Sequence, residues 1–128
     1  MKTITTMAAA ALLSLAPIAA AVAQDAPPPG QRVFNQCRAC HTINEGGRNG
    51  VGPNLWGIVD QQAGQRTGFR YSASMQQLAA GGLRWDAATL GRYLTNPKDV
   101  VPNGSMSFAG LRNPADVEAV VAWLGTQK

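Results

Sequence analysis

The chain has 128 residues, 45% of them hydrophobic and only 14% charged, with 2 Cys, 1 His and a net charge of +4. That length fits one domain and makes two improbable. So slight a positive excess is not a nucleic-acid footprint, and the chain is too short for an elaborate enzyme, though not for a carrier.

In chain order, Lys2 is followed by a run of small and apolar residues from Met7 to Ala23, ending Ala21-Val22-Ala23. A basic start, a short apolar stretch and a small-residue end predict a secretory signal cleaved after Ala23. The alternative, a retained membrane anchor, is opposed by Pro17 and by the small residues at the end. The implied compartment is the periplasm, with another export destination still open. Removing residues 1–23 takes away only Lys2 among the charges and leaves 105 residues at net +3. The predicted organisation is a cleaved leader over 1–23, a Pro-rich extension over 24–29 and one domain over 30–128. A domain this small buries a modest core, so a large apolar cofactor would help it considerably.

Pro27-Pro28-Pro29-Gly30 is an extended breaker, and a helix carrying Val33 and Phe34 is expected from Gly30 to Gln36. The two cysteines and the single histidine then fall together as Cys37-Arg38-Ala39-Cys40-His41. Scattered at random, two Cys and one His would give this arrangement roughly once in 8,000 sequences. Two thiols at this spacing reach the two vinyl groups on one edge of a porphyrin, and the adjacent imidazole turns under the iron as proximal ligand. A thioredoxin-like pair lacks its βαβ context here. A zinc site would need two more ligands that the chain beyond residue 23 cannot supply as Cys or His. A local disulfide is the remaining alternative. The spacing therefore predicts one covalent haem c on Cys37 and Cys40, with His41 on the iron.

Residues 42–70 form a stretch without helical periodicity, longer than the 12–15 residues or so usual for loops without structure of their own. Trp56, Ile58 and Phe69 argue for partial burial rather than disorder, and a cofactor gives the loop a surface to pack on. A short helix is plausible near 72–80, ended by Gly81-Gly82. Another is expected from an Asp86 cap to about Thr95, with Leu90, Tyr93 and Leu94 on one face and Asn96-Pro97 as its stop. The last has Asn113 as cap, Pro114 at the first helical position and Asp116 in the first turn. In it, Val117, Val120, Val121 and Leu124 make one apolar stripe. The fold class is all-α: three main helices plus a short one, with long Gly-rich loops wrapped on haem.

The sixth iron position decides the function. With His41 used, no second histidine is available, and beyond the leader the methionines are Met75 and Met106. Met75 lies in a stretch of helical composition, where a methionine is more often a core filler. Met106 lies in the turn-rich loop Val101 to Gly110, which can carry a thioether across a flat cofactor. A thioether favours Fe(II), raises the potential and closes the last coordination site, which points to electron transfer rather than catalysis.

These residues resemble the small class I cytochromes c, mitochondrial and periplasmic, over about Gly30 to Leu124. The resemblance is carried by Cys37–His41, Gly52-Pro53-Asn54-Leu55-Trp56-Gly57, Gly68-Phe69-Arg70-Tyr71-Ser72, Leu83-Arg84-Trp85, Tyr93-Leu94-Thr95-Asn96-Pro97, and Pro102 through Met106 to Gly110. It favours Met106 as the axial sulfur. It implies that the Pro53 carbonyl accepts the free ring N–H of His41, that Tyr71 and Trp85 donate to an inner haem propionate, and that Tyr93 stands beside the Met sulfur. It implies too that Phe108 shields the exposed haem edge, and that Trp123 packs its helix against Gly30 and Phe34. The chain departs from the family at Gln61, where many relatives place an Arg near the propionates, at Gly104, where many have a hydroxyl residue, and at Ser74, which replaces a frequent Asn. Phe34 to Cys37 is also one residue shorter than in mitochondrial relatives.

At the lysine ring of mitochondrial relatives this chain has Gln36, Gly50, Lys98, Ser105, Arg112 and Asn113, which implies a modest basic face with weak steering. The implied role is a monomeric one-electron carrier between a membrane cytochrome complex or periplasmic dehydrogenase and a terminal oxidase, reductase or reaction centre. It implies no nucleic-acid partner and no stable membrane insertion once the leader is removed. Two other readings stay open: a haem subunit held by a larger dehydrogenase, and an open-site peroxidase-like or gas-binding protein.

Overall fold

A computed structural model describes residues 25–128; the predicted leader lies outside them. Five helices follow in order: α1 (Pro29–Phe34), α2 (Ala73–Ala80), α3 (Ala87–Thr95), α4 (Pro97–Val100) and α5 (Pro114–Gly125). Among the described residues there is no strand, only one antiparallel bridge between Gln62 and Arg84. None of these helices is long and apolar enough to cross a membrane.

The caps at Asp86 and Asn113 are those the sequence announces, and Ser72 adds a third. The Asp86 side chain accepts from the Thr89 N–H at 2.7 Å and Ser72 Oγ from the Met75 N–H at 3.1 Å. Asn113 accepts from the Ala115 N–H at 3.0 Å with Pro114 in the first turn. The hydrogen bond to the Thr89 N–H holds the Asp86 carboxyl below its ordinary value. The cap is therefore in place above the usual carboxylate range and is lost as pH falls through that lowered value. Two boundaries differ from the sequence reading. Helix α1 runs from Pro29 to Phe34 instead of Gly30 to Gln36, because Pro29 occupies the first turn and the chain then tightens toward Cys37. The four-residue α4 is an addition: Asn96-Pro97 stops α3, but Pro97 also opens a new turn in which the Asn96 amide donates to Asp99 at 2.9 Å.

The buried residues form two groups. One gathers Ala63, Met75, Ala79, Trp85, Leu90, Val100 and Val101; the other gathers Val33, Phe34, Leu111, Val117, Val120 and Leu124. Ile58, Val59 and Val121 touch both. Met75 is thus the core filler its helix suggested. The loop from 58 to 63 is tied to 83–85 by backbone bonds: Asp60 N–H to Trp85 O (2.9 Å), Trp85 N–H to Gln61 O (2.8 Å) and Ala63 N–H to Leu83 O (2.8 Å). This clip fixes Trp85 while leaving the surrounding chain irregular.

Helices α1 and α5 cross at Gly30, where an added Cβ would stand 2.2 Å from the Ala119 carbonyl oxygen and 2.3 Å from Trp123 Cβ. The crossing is sealed by Phe34, fully buried, with its ring 5.0 Å from that of Trp123. Because one obstacle is backbone, no side-chain rotation relieves it. Gly30→Ala should therefore lower the stability of the holoprotein by about 2 kcal/mol or more, despite alanine's better helix propensity. Denaturant unfolding measures this, and an unchanged midpoint would contradict so close a crossing.

Candidate haem site

The site begins where α1 ends. Cys37 N–H donates to Phe34 O at 2.8 Å, and Cys40 and His41 N–H both donate to Cys37 O at 3.1 and 2.9 Å. One tight turn therefore sets the two thiols and the imidazole on a common corner. Cys37 is half-buried and Cys40 exposed. Burial, and after it the neighbouring Cys40, pushes the Cys37 thiol above its ordinary value.

His41 is fixed from the following loop. Its Nδ1 lies 2.7 Å from the Pro53 carbonyl oxygen, the partner expected from the resemblance. An N–H at Nδ1 leaves Nε2 as the ring's lone-pair nitrogen, available to a metal. Burial lowers the His41 pKa, with the Pro53 hydrogen bond opposing, so burial favours the neutral, ligating form. Gly52 makes the approach possible: a Cβ there would lie 2.3 Å from the imidazole Cε1.

Asn54, only 2% exposed, holds this loop in place. Its amide donates to Thr42 Oγ1 (2.8 Å) and Asn44 O (2.9 Å), its side-chain oxygen accepts from the Trp56 N–H (3.1 Å), and its own N–H donates to Asn49 Oδ1 (2.9 Å). Sequence reasoning gave Asn54 no role of its own. The available signal was an amide set between Pro53 and the apolar Leu55-Trp56, a place where a buried polar group must be fully bonded.

Met106 sits in a loop pinned at both ends. Val101 N–H donates to Pro97 O at 2.9 Å, and Leu111 N–H to Leu94 O at 2.7 Å. Gly110, at φ +106°, passes so close to α3 that a Cβ would stand 2.0 Å from Thr95 O. Within the loop, Gly104 closes a turn on Val101 O at 3.0 Å, with Val101 Cγ1 only 3.0 Å from where a Cβ would be. The Tyr93 hydroxyl donates to Met106 Sδ at 3.8 Å, and burial raises the Tyr93 pKa, keeping it a donor. Tyr93 in turn packs on Trp85, itself 5% exposed, with ring centroids 4.8 Å apart. Phe108, two residues beyond Met106, packs on the cluster of α1 and α5.

Tyr71 lies on the loop side, edge-on to Phe69 at 4.8 Å, and its oxygen accepts the Arg66 N–H at 3.0 Å. Arg66, which the sequence reading left unassigned, donates from Nε to Asn54 O at 2.9 Å and from Nη2 to Trp56 O at 2.6 Å.

The residues thus present two thiols, an imidazole with one oriented nitrogen, a thioether held by a phenol, and aromatic walls. That donor set and the cradle at Gly52 fit a covalently attached haem. Among the described residues no cluster of three or more His, Cys, Asp or Glu offers a competing metal site.

Comparison with known proteins agrees. The family model for cytochrome c matches residues 28–128. The chain is 50% identical over 100 residues to cytochrome c2 iso-2 of Magnetospirillum fulvum, covering 78% of this chain and 96% of that protein. It is 47% identical over 109 residues to cytochrome c2 of Rhodomicrobium vannielii, covering 85% of each. The structure of cytochrome c2 from Rhodospirillum centenum superposes with a TM-score of 0.73 at 31% identity, over 78% of this chain and 98% of that one. Cytochrome cH from Methylobacterium extorquens superposes with a TM-score of 0.69 at 37% identity, over 77% and 95%. The chain belongs to the cytochrome c family: it is a class I c-type cytochrome that carries one covalent haem c at Cys37 and Cys40 and transfers electrons rather than catalysing a reaction.

Proposed function

We propose that this cytochrome is a periplasmic, monomeric one-electron carrier whose iron is held by His41 and Met106. The observation that carries the reading is the separate bracing of two side chains with ligand chemistry: His41 through Pro53 at 2.7 Å and Met106 through Tyr93 at 3.8 Å. The haem, when bound, supplies a reversible Fe(II)/Fe(III) couple. The protein's own residues set how that couple behaves. A thioether at the sixth position favours Fe(II), and the Tyr93 hydrogen bond draws electron density from sulfur. Pro53 orients the imidazole, while Trp85, Leu90 and the α1–α5 cluster exclude water. Cys37 and Cys40 prevent loss of the cofactor outside the cytoplasm.

The ligand assignment is tested by the visible and near-infrared spectrum of the oxidised holoprotein beside Met106→Ala. A low-spin spectrum with a weak sulfur-to-iron charge-transfer band, lost in the variant, is expected. A high-spin ferric spectrum in the unaltered protein would instead mean an open iron and give the lead to peroxidase-like or gas-binding chemistry.

The partners proposed are a membrane cytochrome complex or periplasmic dehydrogenase as donor and a terminal oxidase, reductase or reaction centre as acceptor. Gln36, Gly50, Lys98, Ser105, Arg112 and Asn113 are all exposed, and only two of them are charged. Such a face steers a partner weakly. The rate of electron transfer to an oxidase should accordingly fall only shallowly with added salt; a steep fall would show that other cations do the steering.

A further inference from the structure

Haem carries two carboxylates on the half of the porphyrin opposite its vinyl groups. Anchoring the vinyl half at Cys37 and Cys40 leaves the carboxylate half to be received elsewhere. A carboxylate taken out of water needs a cation or several donors. The resemblance to the class I cytochromes c implies an arginine near those carboxylates at the position of Gln61, which here is neutral.

A cavity of about 240 Å³ lies beside that residue, on the loop from Trp56 to Tyr71. Its lining includes the amides of Gln61, Gln62 and Gln65, and its ionisable lining residues are Arg66 and Tyr71. Arg66 is half-buried, and its plane is set by two backbone carbonyls: Nε–H donates to Asn54 O at 2.9 Å and Nη2–H to Trp56 O at 2.6 Å. The first carbonyl belongs to the fully bonded, 2% exposed Asn54, so the guanidinium is referenced to a buried, hydrogen-bonded point of the loop. Nη1 has no acceptor among the described residues, and the carbonyls leave the positive charge without a counter-ion. The Tyr71 hydroxyl accepts the Arg66 backbone N–H at 3.0 Å, so its own proton remains to be donated. A fixed cation and a phenol donor thus line one small polar cavity.

We propose that Arg66 is the cation of the haem-carboxylate site, taking from five residues further along the loop the role that Gln61 cannot fill, with Tyr71 as its neutral co-donor. This rests on the covalent haem alone and is independent of which sulfur binds the iron. Arg66 is a positioning residue: it holds the carboxylate edge, and its charge favours the reduced haem over the oxidised one, which carries one more positive charge. A purely structural arginine would only staple Asn54 to Trp56.

Spectroelectrochemical titration of four holoproteins separates the two roles: the unaltered protein, Arg66→Lys, Arg66→Gln, and the double variant Gln61→Arg/Arg66→Gln. Haem loading is checked first by pyridine haemochrome absorbance; an unaltered protein without that signature would sink the haem reading, a distinct failure. Arg66→Gln should lower the equilibrium constant for haem reduction about three- to tenfold, as expected for one charge at short range in a partly wet site. Arg66→Lys should stay within about twofold of the unaltered protein, and Gln61→Arg should restore most of the loss. An unchanged potential in Arg66→Gln with a lowered Tm would overturn the proposal and leave only the staple. If Arg66→Gln does not accumulate with haem, the unaltered protein decides by ¹⁵N-arginine NMR. The Arg66 Nη1 protons, which the two backbone carbonyls leave unbonded, should exchange with water about tenfold more slowly than the Nη protons of the exposed Arg92; rates equal to those of Arg92 would leave only the staple and overturn the proposal.

Discussion

The hydrogen bond between the His41 ring and the Pro53 carbonyl, 2.7 Å long, joins the two parts of the chain that grip the cofactor. On one side of it stands the turn from Cys37 to His41, anchored to α1. On the other stands a loop whose path is set by Gly52 against the imidazole and by Asn54 against Thr42, Asn44 and Trp56. Because His41 is at once the end of the thiol turn and the partner of Pro53, displacing one displaces the other. The loop then continues to Arg66 and Tyr71, so the residues proposed to hold the iron and the haem carboxylates are positioned along one chain that starts from this bond.

The helices alone make a poor core. Helix α1 has 6 residues, α2 has 8 and α4 has 4, all below the length at which a helix persists in water by itself. The two buried clusters meet only through partly buried residues such as Ile58, Val59 and Val121. A haem contributes a large apolar body to such a structure, and this explains how a chain with so much irregular backbone folds at all. It also explains the division of labour. Helices α1 and α5 cross tightly at Gly30 and form a scaffold, while the loops carry Pro53, Tyr71 and Met106, each held by hydrogen bonds to its neighbours rather than by a helix.

Much of this was legible in residue order. Asp86 and Asn113 announce α3 and α5 because a capping side chain needs only its own next few residues, and the Ser72 cap of α2 is of the same local kind though the sequence reading did not name it. Met75 could be placed in a helical core and Met106 in a turn-rich loop on the same local grounds, but preferring Met106 as the axial sulfur also took the family resemblance. Helix α4 was not legible: Asn96-Pro97 can end the helix before it and can equally begin a helix after it, and only the closure of Asn96 on Asp99 selects the second. Asn54 and Arg66 were opaque for a different reason. Their partners lie between 2 and 12 residues away along an aperiodic loop, and no period in the sequence encodes how such a loop folds back. The shortened spacing from Phe34 to Cys37 is absorbed where the chain tightens after α1, by the Cys37 N–H bond to Phe34 O at 2.8 Å.

The central claim is that the attached haem is the piece of core that makes α1, α5 and the two binding loops one cooperative structure. Amide hydrogen exchange on the chain carrying Cys37→Ser and Cys40→Ser, prepared without haem and set beside the holoprotein, tests it most directly. Protection in α1, α3 and α5 should fall close to that of an unfolded chain once the haem is gone. Protection of the α1–α5 crossing that survives at the level of the holoprotein would show that the polypeptide folds on its own, and the claim would fail.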